Sequence, residues 1–307
     1  MAKKSHVEKT VGPWANQKLD ALESYLNSYM QVMKKQRFKL FYIDAFAGAG
    51  MVKVREGAGD SSTDDLDMFS SGQMTEDDQR QVEAYIKGSP LRALGLERRF
   101  DHYRFIDLDP KRVADLNKLA EPFADSEVKV IQDEANKVVQ DIASKFVNPS
   151  WRGVAFLDPY GPHLHWQTLE ALASTGKFDV ILNFPLAMAI NRQIKRDGAN
   201  PEKWVSQLDL CFGGPSWRDA AYGEIEGLFG AEQFKHDDAA GRLLRLYVDN
   251  LRGIFSSVAA PSLVRNTKGT PLYYLIWASG NARGLPIAEH ILKLGEKVSV
   301  PRKRKDR

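Results

Sequence analysis

The chain has 307 residues, 43 % of them apolar, with 43 basic and 40 acidic side chains and a net charge of +3. That composition supports a full core and excludes wholesale disorder, and the single cysteine, Cys211, excludes an internal disulfide. No apolar run approaches the roughly 20 residues of a membrane span, and the opening MAKKSHVEKT is charged with no apolar segment behind it. Neither a membrane span nor a signal peptide is expected, and a reducing, cytoplasmic setting is.

From Trp14 to Lys35 the apolar residues Leu19, Leu22, Leu26, Tyr29 and Met33 recur every three or four positions, predicting an amphipathic helix. KLFYID (39–44) reads as a buried strand. Residues 52–82 are acidic and rich in Ser, Gly and Asp, and read as an insertion, either padding or a lid. Helix and strand then alternate: helix near 83–99, strand 103–107, helix 110–121, strand 128–132, helix 135–147, strand 153–158, helix 166–174 and strand 178–184. Alternation of this kind predicts a doubly wound α/β fold with a mostly parallel sheet. Residues 186–254 read as mostly helical, and SSVAAPSLVRN and TPLYYLIWAS as a closing hairpin. The expected organisation is a helical segment at 1–38, a main domain at 39–285 and a C-terminal segment at 286–307 with a basic tail. That tail either attracts phosphate or is a solvated end.

Ligands of such sheets bind beyond the carboxyl ends of the strands. The first end is Asp44-Ala-Phe-Ala-Gly48-Ala-Gly50. Position 53 is lysine, so the three-glycine dinucleotide fingerprint is incomplete, and an acid followed by G-x-G suits a cationic ligand terminus better than a pyrophosphate. At the second end Asp109 is a natural N-cap with Pro110 at the first helical position, which leaves Asp107 to accept hydrogen bonds from ribose hydroxyls. Asp133, at the third end, has two readings: a cap for the next helix, or an acceptor for an adenine amino group. The fourth end, FLDPYG (156–161), is either a catalytic edge or a strand running into a turn, and the fifth is Asn183-Phe184-Pro185. Together they describe a site for a nucleoside with a positively charged tail, which S-adenosylmethionine fits. Arg192, Lys195 and Arg196 form a small basic face beyond the fifth strand. The pair His163 and His165 lacks cysteine or acidic partners at ligand spacing, so no metal site is expected.

FYIDAFAGAG (41–50), GSPLRAL (88–94), RFIDLDPKRVADL (104–116), FLDPYG (156–161) and PLYYLIWAS (271–279) occur in that order. With them the sequence resembles the class I methyltransferase superfamily, and within it the three-Cys-motif partner protein family, TcmP. The resemblance implies a Rossmann-like, seven-stranded methyltransferase fold closed by an antiparallel hairpin. It implies an S-adenosylmethionine pocket at Asp44, Phe46, Gly48, Gly50, Asp107 and Asp133. It also implies a partner, a three-cysteine protein resembling a radical S-adenosylmethionine enzyme. FLDPYG is similar to the Asp/Asn-Pro-Pro-Tyr/Phe edge of amino-methyltransferases acting on nucleobases. By that likeness Asp158 and the Pro159 carbonyl accept the target N–H bonds and Tyr160 stacks on the base, although one proline stands here in place of two. The expected function is therefore methyl transfer, to a nucleobase amino group in nucleic acid or to another acceptor. The alternative is a catalytically silent binding partner of the three-cysteine protein.

Overall fold

The computed structural model describes residues 13–48, 88–123, 126–227, 230–265 and 269–296. Gly50, the insertion at 52–82 and the basic tail lie outside the described residues. The first helix, α1, is Pro13–Met33, and β1 is Lys39–Asp44. A short helix α2, Ser89–Leu94, follows. The alternating units are β2 (His102–Asp107), α3 (Pro110–Ala120), β3 (Glu127–Gln132), α4 (Ala135–Lys145), β4 (Trp151–Leu157), α5 (Trp166–Ser174) and β5 (Phe178–Phe184). The last third holds α6 (Glu202–Phe212), α7 (Trp217–Ala221), β6 (Tyr222–Gly227), β7 (Gly230–Lys235), α8 (Ala239–Ile254), β8 (Ser257–Val258), β9 (Ser262–Arg265), β10 (Pro271–Ser279) and α9 (Leu285–Glu296).

The sheet runs β3-β2-β1-β4-β5-β10-β8, with β9 an eighth strand beside β10. β1 to β5 are parallel, and β10 lies antiparallel to β5. This is the expected doubly wound, Rossmann-like arrangement. The predicted closing hairpin is present, with its first arm split into β8 and β9 around Pro261, which has no amide hydrogen to give a ladder. Chain order reverses between β1 and β4, so the ligand crevice of the fold opens there.

Side-chain alternation along the strands divides the core. Phe41, Ile43, Ala155, Leu157 and Ile276 pack with α4, α5, α6 and α8. Leu40, Tyr42, Tyr103, Phe105, Val154, Phe156, Ile181, Leu275 and Trp277 pack with α1, α2, α3 and α9. Extending the second set by two residues carries Asp44, Asp107, Asp158 and Asn183 towards the α1 layer, and this positions the site. Two side chains pin α1 across that face: Lys18 to Asp158 beyond β4, and the Tyr25 hydroxyl, which donates to Asp179 near the start of β5 at 2.6 Å.

Two expectations are corrected. The helix predicted over 83–99 is, among the described residues, only Ser89–Leu94, because the chain turns at Gly95. Residues 186–254 also contain the antiparallel pair β6–β7. Its Glu, Ala and Gln content favours helix locally, but cross-strand pairing prevails. Among the described residues no helix is long and apolar enough to cross a membrane.

Candidate functional site at the sheet switch point

Three strand-end groups and one helix lysine converge where the sheet order reverses. Asp44, Asp158 and Asn183 end β1, β4 and β5, and Lys18 reaches them from the first turns of α1. They are 0 %, 2 %, 4 % and 0 % exposed, respectively. The Lys18 ammonium donates to Asp158 Oδ1 at 2.7 Å, and Asn183 Nδ2 donates to the same oxygen at 2.7 Å. The Lys18 nitrogen also lies 4.8 Å from the ring centre of Tyr273 and 5.6 Å from that of Phe156, so aromatic faces replace part of its lost hydration.

Burial governs the electrostatics. Desolvation lifts the Asp44 carboxyl to about 7; the Ser89 side chain, the Phe46 amide and the Lys18 ammonium oppose the rise, and the Asp158 charge adds to it. The same desolvation draws Lys18 down to about 7 against the attraction of Asp158 and Asp44. Asp158 is raised by burial and held back by Lys18 and Asn183. With both acids ionised, one ammonium faces two carboxylates, and the cluster is one positive charge short.

The shortfall also shows in the hydrogen bonding. Asp44 Oδ1, Asp158 Oδ2 and Asn183 Oδ1 are buried with no hydrogen-bond partner, whereas buried polar atoms are ordinarily paired. With Asp44 ionised, all three are acceptors. The group that completes this site brings donors and positive charge.

The second strand end adjoins it. Asp107 Oδ2 accepts the Gly48 amide at 2.9 Å, and Oδ1 accepts the Asp109 amide at 2.8 Å. These bonds oppose a rise in its pKa that burial causes. Gly48 has φ 66°, in the left-handed region, so a glycine is needed for this turn to offer its amide to Asp107. Gly48→Ala is expected to cost about 1–2 kcal/mol from backbone strain, measurable by urea unfolding. Arg112 on α3 lies 3.9 Å from Asp107 and hydrogen-bonds Tyr160, linking FLDPYG to the second strand end. Asp109 caps α3, accepting from the Lys111 and Arg112 amides.

Phe46 is partly buried against the α4 side of the core, and Pro159 is buried beside Asp158. The loop after FLDPYG is tied to α4 by Asn136, which donates to the His163 carbonyl and accepts from the His165 amide. Asp133 accepts from Lys137 at 2.7 Å and lines an open groove of about 520 Å³ between the sheet and α4. Glu134, not Asp133, caps α4. Leu108, next to Asp107, is 61 % exposed. Arg192, Lys195 and Arg196 are exposed, with no ion pair to a described residue. Beneath them the Tyr222 hydroxyl and the Lys235 amide donate to the Lys195 and Arg196 carbonyls.

Sequence reasoning missed Lys18 and the pairing of Asn183 with Asp158. The signal for Lys18 was available: it precedes Leu22, Tyr25, Leu26 and Tyr29 at helical spacing, so it stands on the buried stripe.

No protein-family model matches the sequence, and no curated protein matches it. Among solved structures it is similar to protein LPL1258 from Legionella pneumophila, at 14 % identity over 92 % of this chain and 91 % of that one, with a TM-score of 0.46. It is similar to Trm1 from Pyrococcus horikoshii, determined with S-adenosyl-L-methionine, at 10 % identity over 92 % of this chain and 59 % of that one, with a TM-score of 0.39. Spermidine synthase from Thermotoga maritima matches at 12 % identity over 90 % of this chain and 62 % of that one, with a TM-score of 0.40. These likenesses carry no functional weight at such scores. The strand order and the antiparallel β10 give the chain a Rossmann-like, methyltransferase-type fold.

Proposed function

We propose that the protein is an S-adenosylmethionine-dependent methyltransferase acting on an amino group, with a nucleobase as the favoured acceptor. The observation that carries this reading is the set of three buried polar oxygens without a hydrogen-bond partner, Asp44 Oδ1, Asp158 Oδ2 and Asn183 Oδ1, beside the Lys18–Asp158 ion pair. An ammonium group suits Asp44, and an amino group with two N–H bonds suits Asp158 with Asn183 or the Pro159 carbonyl. When bound, the cofactor supplies a methyl group on a sulfonium. Its transfer to nitrogen breaks the S–C bond, forms a C–N bond and releases a proton.

The chain's part is positioning. Asp158 and its neighbours orient the acceptor nitrogen so that its lone pair faces the methyl group, and Asp158 is the nearest group to take the proton. Asp107 keeps lone pairs for ribose hydroxyls beyond its two amide bonds, and Leu108 offers an apolar face beside it. Asp133 would have to leave Lys137 to meet an adenine amino group, an exchange that costs little at an exposed site. Arg192, Lys195 and Arg196, on a backbone already held in place, support a phosphate-bearing acceptor. The five sequence blocks support placing the chain with the three-Cys-motif partner family, and with it a three-cysteine companion as partner.

Calorimetry with S-adenosylmethionine and S-adenosylhomocysteine tests the reading, with adenosine and methionine as controls. Micromolar binding is expected, with Asp107→Ala weakening it at least tenfold and Asp133→Ala weakening it much less. No binding of either cofactor form to the intact chain would overturn the assignment.

A further inference from the structure

β3 ends the sheet on one side, and its outer edge is open. Among the described residues β2 is the strand it pairs with. The Glu127 amide donates to the Asp101 carbonyl, on the β2 side, at 2.9 Å. Backbone groups alternate sides along a strand, so Glu127, Lys129 and Ile131 bond towards β2, while Val128, Val130 and Gln132 turn their N–H and C=O groups outward. None of these outward groups has a backbone partner among the described residues. The strand, EVKVIQ, holds no proline, and its register with β2 runs without a bulge, so two common ways of blunting an edge are missing. Donors and acceptors in such a row fit another extended backbone. The groove of about 520 Å³ lies along the same edge, and Lys129, Ile131 and Asp133 line it with Ile142 and Trp151. Ile131, Ile142 and Trp151 are only partly buried.

We propose that a second copy of the chain completes this surface, its β3 pairing antiparallel with β3 about a two-fold axis at Ile131. Charge and burial choose the axis. Lys129 on the axis would face itself. Val130 on the axis would set Glu127 against Asp133, two acids. Val128 or Gln132 there would leave Ile131 or Lys129 outside the paired stretch. With Ile131 on the axis, Ile131 meets Ile131 beside the groove, and Lys129 of each copy faces Asp133 of the other. Val130 and Gln132 then exchange backbone hydrogen bonds with Gln132 and Val130 of the second copy. A lysine on an edge ordinarily deters pairing, but here the two-fold gives it an acid to meet. Within one chain Lys129 holds Glu127 at 3.0 Å and Asp133 holds Lys137 at 2.7 Å. These are exposed pairs, so exchanging them costs little. The interface is self-complementary, closes as a dimer and runs one sheet through both copies. An Asp133 engaged in this way is withheld from an adenine amino group, in keeping with the small effect of Asp133→Ala expected on cofactor binding. The inference does not depend on the methyltransferase reading.

Sedimentation equilibrium of the full chain over a range of concentrations tests the proposal, and a reversible dimer is expected. Gln132→Pro removes an outward amide and spares the ladder with β2, and is expected to weaken the dimer about tenfold. Lys129→Asp sets an acid against Asp133 on both sides of the axis and is expected to weaken it about tenfold as well. Adding Asp133→Lys to Lys129→Asp restores opposite charges and is expected to recover most of that loss. Should Gln132→Pro fail to fold, the charge variants, at exposed positions, carry the test. An intact chain that stays monomeric would overturn the proposal, even if the edge binds an extended segment of another protein. A dimer indifferent to Gln132→Pro and Lys129→Asp, or one that the double reversal does not restore, would overturn it too.

Discussion

Asp158→Ala is expected to lower the stability of the folded chain by about 3–5 kcal/mol, the usual consequence of stripping a buried ion pair of one member. The residue loses little volume, but Lys18 would be left 0 % exposed without the carboxylate it meets at 2.7 Å. Asn183 Nδ2 would lose its acceptor as well. Replacing both members together, as Lys18→Met with Asp158→Leu, is expected to recover most of the loss, since apolar pairs often substitute for buried ions without cost. Urea unfolding of the two variants measures both effects. A loss below about 1 kcal/mol for Asp158→Ala, the range of an exposed pair, would mean that Lys18 is not held as a charge.

Stability is also expected to fall as pH rises through the range set by Asp44. Its folded pKa, about 7, lies above the ordinary value of 3.8. The folded chain therefore keeps a proton that the unfolded chain has already released. The stabilisation is fully present below pH 3.8 and is lost as pH climbs through 7, at up to about 1.4 kcal/mol per pH unit. Asp44→Asn, which cannot ionise, is expected to flatten this part of the profile between pH 5 and 8. Urea unfolding of both proteins at four pH values isolates the difference from the other carboxylates. Parallel profiles would show that Asp44 is ionised throughout in the folded state.

Most of the sheet was legible because its strands are buried and short. KLFYID and FDVILNF have β-branched and aromatic residues bounded by turns, and both were placed to the residue. The β6–β7 pair was not legible, since Glu224, Glu226, Glu232 and Gln233 carry no alternating apolar pattern. At the site, strand ends were readable one at a time. Asp44, Asp107 and Asp158 end strands whose buried alternation aims them at one layer, and the structure draws Asp44 and Asp158 together. Asp133 follows the edge strand β3, whose side chains are exposed or half-buried, so pattern alone could not say which way it turns. Lys18 was obscured for a different reason. A single lysine in an amphipathic helix is normally on the wet face, and its place on the apolar stripe becomes meaningful only when an acid 140 positions later is known to lie opposite.

That separation has a consequence for biosynthesis. At about 5–20 residues per second, some 7–28 seconds pass between the polymerisation of Lys18 and that of Asp158. Until β4, β10 and α9 have left the ribosome, α1 lacks much of the layer it packs against and the counter-ion that makes its docking tolerable. The apolar stripe of α1 thus waits exposed on the nascent chain, and the first helix made is among the last to find its seat.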